Sequence, residues 1–207
     1  MAEPDDQYPV NLNIGGWRCL VVGGGQVAVG KVAELVACGA RVDVVAPEVD
    51  PAIEDAGGVE IFHRPYRAGE AADYRLVVTA TDSSDVNRAV FVDAEEAGVL
   101  VNSADDPPNC TFTLPARVRR GDLLVTVSTS GKSPALASWM RRQFEDQLGP
   151  EYTELLDILA EARADLVASG RKVEASGWQL ALDSGMLELI REGRTTEAKE
   201  RLRACLS

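Results

Sequence analysis

The sequence predicts an α/β protein: a doubly wound parallel sheet in the first half, then a small α+β segment, then a helical C-terminal region. Three observations predict it. The chain opens with a short apolar run, a glycine turn and a stretch of helical spacing. Nearly continuous apolar runs recur as far as residue 102, the pattern of strands covered on both faces. From residue 151 onward the apolar positions follow helical spacing.

Residues 17–22 read as a strand, Gly23-Gly24-Gly25 as a turn, and residues 27–38 as a helix with Val27, Lys31, Val32, Leu35 and Val36 at helical spacing. Gly39 supplies a helix stop, and residues 40–46 (ARVDVVA) form a second, nearly continuous apolar strand. The first 46 residues are thus a βαβ unit. Further strands are predicted at 59–63, 76–80 and 99–102, with a helix over 84–97 between the last two. After Pro107 and Pro108 the pattern changes. Residues 110–114 and 123–128 read as two strands around a basic turn, Arg117-Val118-Arg119-Arg120-Gly121. Ser133 is placed to cap a helix that starts at Pro134, and Leu136, Met140 and Phe144 recur every four residues to give it an apolar stripe. In the tail, Leu155, Leu156, Leu159, Ala162 and Leu166 share a helical face, and Met186, Leu189 and Ile190 begin a later one. The expected division is 1–112, 113–147 and 148–207.

At 207 residues and 45% hydrophobic, the chain can bury a core without disulfides or metal. Cys19, Cys38, Cys110 and Cys205 form no CxxC pair and have no histidine neighbours, so neither a disulfide framework nor a zinc site is indicated. A reducing cytoplasm is the expected location. The acidic N-terminus lacks the form of a signal peptide, and no apolar stretch is long enough to span a bilayer. The net charge of -12 argues against general nucleic-acid or anionic-membrane binding. Residues 1–112 carry 7 basic and 19 acidic side chains, residues 113–147 carry 6 and 3, and residues 148–207 carry 8 and 11. The locally basic middle segment, with Arg117, Arg119, Arg120, Lys132, Arg141 and Arg142, is suited to a small polyanion, or is simply a solvated face.

Gly23 to Ala28 fits G-x-G-x-x-A: Gly23 for the tight turn, Gly25 for close approach of a pyrophosphate, and small Ala28 for helix packing. The turn follows a strand, opens a helix, and is answered by Glu48 at the end of the second strand, where an acidic residue binds ribose hydroxyls. The first half is therefore Rossmann-like. Glu48 would repel a 2′-phosphate, and Arg41 lies too early in its strand to offset this, so NAD is expected over NADP. Thr81 has two readings: lining the nicotinamide half or capping the next helix. Gly131-Lys132-Ser133 ends like a P-loop, but Thr126 stands where the first glycine is required. His63, the sole histidine, reads as structural or exposed rather than as a metal ligand.

The glycine turn, V-V-A-P-E at 44–48, T-A-T-D at 79–82, V-N-S-A-D-D-P at 101–107 and S-T-S-G-K-S-P-A-L-A at 128–137 occur in an order that resembles the precorrin-2 dehydrogenase module of sirohaem synthases. The resemblance covers about residues 8–147. It implies oxidation of precorrin-2, a tetrapyrrole, to sirohydrochlorin with NAD, and cofactor contacts at Gln26, Val27, Pro47 and Glu48. It also places the catalytic aspartate on Asp105. The residues alone favour Asp105 and Asp106 as shaping the turn before Pro107, and only the resemblance reverses that. Ser128, Thr129 and Lys132, before a helix N-terminus, suit the substrate's carboxylates. The family often has two glycines where Ser130 and Gly131 stand here. Members are homodimers, which gives the Leu136, Met140 and Phe144 stripe a partner. Whether the chain also inserts ferrous iron stays open, and a non-catalytic NAD-sensing module is the more remote alternative.

Overall fold

The computed structural model describes residues 7–104, 106–172 and 174–206, which fall into two compact units, 1–114 and 115–207. In the first unit, β1 (Arg18–Val22), β2 (Arg41–Ala46), β3 (Val59–His63), β4 (Leu76–Thr79) and β5 (Leu100–Ser103) form an all-parallel sheet in the order β3-β2-β1-β4-β5. Its direction of growth reverses between β1 and β4. Ligands of such sheets bind at the strands' carboxyl ends at that switch point.

Alternation along each strand feeds two cores. Cys19 and Val21 of β1 face one core, under α1 (Gln26–Ala37) and the short α2 (Pro51–Glu54), with Val32, Val42, Val44 and Ile53. Leu20 and Val22 face the other, under α3 (Ser84–Glu96), with Val45, Val77, Val90 and Val101. Each fully buried Val or Leu contributes on the order of 1.5–3 kcal/mol. β2 carries one charge in its apolar run. Asp43 is buried and accepts from Arg18 Nη2 at 2.9 Å and from the Tyr74 hydroxyl at 2.8 Å. Burial and that carboxylate raise the Tyr74 pKa.

The second unit opens with an antiparallel hairpin, β6 (Ala116–Arg120) and β7 (Leu123–Val127), turned at Gly121 with φ +56°. This corrects the expectation of a strand at 110–114 and a basic turn at 117–121. The arginines are themselves in a strand, where Val118 is buried and Arg117 and Arg119 point outward. Residues 110–114 lie along β5 without forming a ladder. Thr111 N donates to Val101 O at 2.8 Å, but the Val101 N–H is taken by the Thr111 hydroxyl at 2.9 Å, a side chain in the place of a backbone partner.

α4 (Pro134–Gln147) packs on both hairpin strands, and Arg120 reaches its far end, donating to Leu148 O at 2.6 Å and Glu145 O at 3.1 Å. The stripe expected on α4 divides. Ala137 is buried and Met140, Arg141 and Phe144 are half-buried, whereas Leu136 and Trp139 are 47% and 52% exposed. Spacing of three and four keeps 137, 140 and 144 on one face, while Leu136 sits to its side. Helices α5 (Glu151–Ala168), α6 (Ala175–Leu182), α7 (Met186–Arg191) and α8 (Thr195–Cys205) enclose a separate core with Leu155, Ile158, Met186, Leu189 and Leu202. Among the described residues no helix is long and apolar enough to cross a membrane.

Candidate functional site

The carboxyl ends of β1, β2 and β4 converge on the glycine turn. Gly23 has φ +118°, and a Cβ there would collide with the Ala80 carbonyl oxygen and stand 2.6 Å from its carbon. A Cβ on Gly24 would collide with Glu48 O and stand 2.8 Å from Val49 Cα. Backbone bonds close the junction: Gly23 N to Val45 O at 3.0 Å, Asp50 N to Gly24 O at 2.7 Å, and Ala80 N to Val22 O at 2.7 Å. Gly25 differs. Its φ of -84° suits any residue, and a Cβ there would meet nothing within 4 Å.

Gly25 is the N-cap of α1, and no side chain caps that terminus, in contrast to Asp50, Ser83 and Ser133 at α2, α3 and α4. Ala28 is fully buried, while Gln26 and Val27 are exposed at the mouth of the turn. Uncapped first-turn amides beside open space, at the positive end of a helix dipole, fit a pyrophosphate. Pro47 and Glu48 follow β2 directly, both exposed.

Thr81 is tied into the turn before α3. Its hydroxyl lies 2.8 Å from Asn87 Oδ1 and accepts from Ser83 N at 3.2 Å, while the helix cap itself is Ser83, accepting from Val86 N at 3.3 Å. Beyond β5, Asp105 lies outside the described residues. Around it, Ala104 N donates to Thr79 O at 2.9 Å, and the Thr79 hydroxyl donates to Ser103 Oγ at 2.9 Å in a buried pair. Asp106 accepts from Asn109 Nδ2 at 2.7 Å, and Asn109 Oδ1 accepts from Arg88 at 2.8 Å, so Asp106 has a loop-shaping role. Cys110 Sγ accepts from Ser103 N at 3.2 Å, and burial pushes its thiol pKa up.

In the second unit, the loop between β7 and α4 is shaped by its own hydroxyls. Ser128 Oγ accepts from Ser130 N at 3.3 Å, Thr129 Oγ1 from Ser133 N at 3.2 Å, and Thr129 O from Lys132 N at 2.9 Å. Ser130 and Gly131 have φ +51° and +75°, the left-handed region that glycine enters most readily. The Lys132 side chain is exposed. Two cations of the basic segment serve the fold: Arg120 at the end of α4, and Arg141 in an ion pair with Glu145 at 2.5 Å.

Sequence reasoning missed Gly24, Asn87, and the Arg88, Asn109 and Asp106 chain. The third consecutive glycine was a signal for the first of these. Asn87 and Asp106 act through side-chain bonds to Thr81 and Asn109, close by in sequence, and only the Arg88 bond to Asn109 joins segments distant in sequence.

Residues 10–116 match the family described as putative NAD(P)-binding, and residues 120–147 the family described as sirohaem biosynthesis protein, central. The siroheme synthase of Nitrosococcus oceani is 38% identical over 206 residues, covering 97% of this chain and 44% of that protein. Those of Gluconobacter oxydans and Acinetobacter baylyi are 39% and 44% identical, covering 96% and 67% of this chain and 44% and 31% of theirs. The chain therefore spans less than half the length of the curated relatives it matches. A solved structure described as SirC, precorrin-2 dehydrogenase, superposes with a TM-score of 0.74 at 26% identity, covering 96% of this chain and all of that one. Fold and turn together define a dinucleotide-binding protein of the Rossmann type. The chain belongs to the putative NAD(P)-binding family, and over nearly its whole length it is similar to part of the sirohaem synthases.

Proposed function

We propose that this chain oxidises precorrin-2 to sirohydrochlorin with NAD. The observation that carries the reading is the uncapped, open glycine turn at the switch point of a chain alignable almost end to end with a precorrin-2 dehydrogenase. When bound, the nicotinamide ring accepts the hydride. The amides after Gly23 and Gly25, with Gln26 and Val27, hold the pyrophosphate, Pro47 and Glu48 hold the adenosine ribose, and Thr81 fixes the turn on the nicotinamide side. Asp105 takes the proton that the substrate loses, and Ser128, Thr129 and Lys132 receive its carboxylates. The likeness to a dehydrogenase favours oxidation over iron insertion. An anaerobic assay of the protein with precorrin-2 and NAD tests this. Formation of NADH and sirohydrochlorin is expected, whereas dinucleotide binding without turnover would leave a sensing module.

The finer choice of NAD over NADP rests on Glu48, exposed directly after β2. A 2′-phosphate beside it meets like-charge repulsion of order 1 kcal/mol or more, depending on screening. Glu48→Ala is expected to narrow the ratio of KM for NADP to KM for NAD. A wild-type protein with the lower KM for NADP contradicts the reading.

The active form is a homodimer in the cytoplasm. Leu136 and Trp139, three residues apart on α4 and about half exposed, supply apolar contact surface. Leu136→Asp with Trp139→Asp is expected to yield monomers of unchanged helix content in sedimentation and circular dichroism. A wild-type monomer at all concentrations overturns the dimer.

A further inference from the structure

No basic residue follows Glu48 closely in sequence, but the sheet brings one to the same edge. β3 runs parallel to β2 with His63 opposite Ala46, and Arg64 N donates to Ala46 O at 3.1 Å. Arg64 therefore leaves the sheet at the carboxyl edge, where β2 gives way to Pro47 and Glu48. His63 turns toward α2, its Nε2 3.9 Å from Glu54, so alternation sends Arg64 to the opposite face with Phe62, whose ring centroid is 5.3 Å from the guanidinium carbon.

There the fork of the guanidinium is occupied. Nη2 donates to Glu70 Oε2 at 2.7 Å and Nη1 to Glu70 Oε1 at 3.1 Å, with Nη1 also 3.1 Å from Pro65 O. Both side chains are largely shielded, at 24% and 14% exposure, and Glu70 is held in turn by Arg67 N at 2.8 Å. A guanidinium fork matches phosphate as well as it matches carboxylate. An arginine at this edge is the side chain that accepts a 2′-phosphate in NADP-binding sheets of this kind.

We infer that Glu70 is a specificity-determining residue: by occupying the Arg64 fork it withholds from the adenosine end the cation that a 2′-phosphate needs. This rests on the reading that a nicotinamide dinucleotide binds at the glycine turn with its ribose near Glu48. Glu48 repels the extra phosphate and Glu70 removes its counter-charge. Glu70 is a positioning residue here, acting through Arg64 and touching no substrate.

The test is isothermal titration of NAD and of NADP into wild type, Glu70→Gln, Arg64→Ala and the double variant. Glutamine keeps an oxygen for Arg67 N while losing the charge that holds the fork. Glu70→Gln is expected to lower the NADP Kd roughly 10-fold relative to that of NAD, the worth of one charge-assisted phosphate contact. Arg64→Ala alone should leave the ratio near wild type, and adding it to Glu70→Gln should cancel the gain. An unchanged ratio in Glu70→Gln with NAD binding intact overturns the inference, as does a gain that persists without Arg64. If Glu70→Gln does not fold, Glu70→Asp, which keeps the charge but shortens its reach, should show a smaller gain, and no gain overturns it. The wild-type titrations separately test the underlying reading: a protein that binds neither dinucleotide, or prefers NADP, removes that reading whatever the variants do.

Discussion

Asp105→Ala is expected to keep NAD affinity near wild type and to lose on the order of 10²- to 10⁴-fold in precorrin-2 turnover, the range associated with loss of a general base. The proposed dinucleotide contacts are at the glycine turn, after β2 and at Thr81, and Asp105 is not among them. Asp106→Ala is the control with the opposite signature. Its carboxylate holds Asn109, which holds Arg88, so its loss should lower stability by about 1–2 kcal/mol while sparing the catalytic step. Titration calorimetry, thermal melting and single-turnover oxidation separate the two. If Asp106→Ala carries the larger loss of turnover, the base is Asp106. If neither variant slows oxidation, the proton leaves to solvent.

The glycine turn gives the second large effect, and there stability and binding should separate by position. Gly23→Ala forces a side chain onto a backbone with φ +118° and drives a methyl group into the Ala80 carbonyl. Backbone strain and overpacking together cost roughly 2–6 kcal/mol, a large share of the ~5–15 kcal/mol by which domains of this kind are stable. The expected result is a much lower melting temperature or no fold. Gly25→Ala has neither problem, since its backbone is ordinary and its Cβ direction is open. Its melting temperature without cofactor should match wild type, while NAD binding falls on the order of 10-fold or more because the methyl stands where the pyrophosphate is proposed to approach. Wild-type NAD affinity in Gly25→Ala would place the phosphates elsewhere.

The parallel sheet was legible because both faces of it are covered. Runs such as Val44-Val45-Ala46 and Leu76-Val77-Val78 have no other use in a chain with no long apolar span. The glycine turn was legible because its requirements are steric and local. What was not legible depends on partners distant in sequence. Asp43 sits in an apolar strand because Arg18 and Tyr74 meet it from 25 and 31 residues away. Residues 110–114 have strand composition, but Thr111 offers its hydroxyl where a ladder needs a carbonyl. On α4 the four-residue repeat of Leu136, Met140 and Phe144 drifts around the helix, and small Ala137 takes the buried place instead. Glu70 gave no signal at all, since its meaning comes from the guanidinium it occupies.

The arginine that closes the end of α4 has a consequence for the loop at its start. Residues 128–133 link Val127, the last residue of β7, to Pro134, the first of α4, and Arg120, in the strand paired with β7, ties the other end of α4 back to the hairpin. Both ends of the loop are thus fixed to one rigid frame, and Ser128, Thr129 and Ser133 set its path between them. Much of the entropy that a free loop would surrender on meeting a ligand has already been given up on folding. For Arg120→Ala the loss should therefore appear as slower association and weaker affinity for precorrin-2, the ligand proposed for that loop, with the rate of the chemical step unaltered once it is bound.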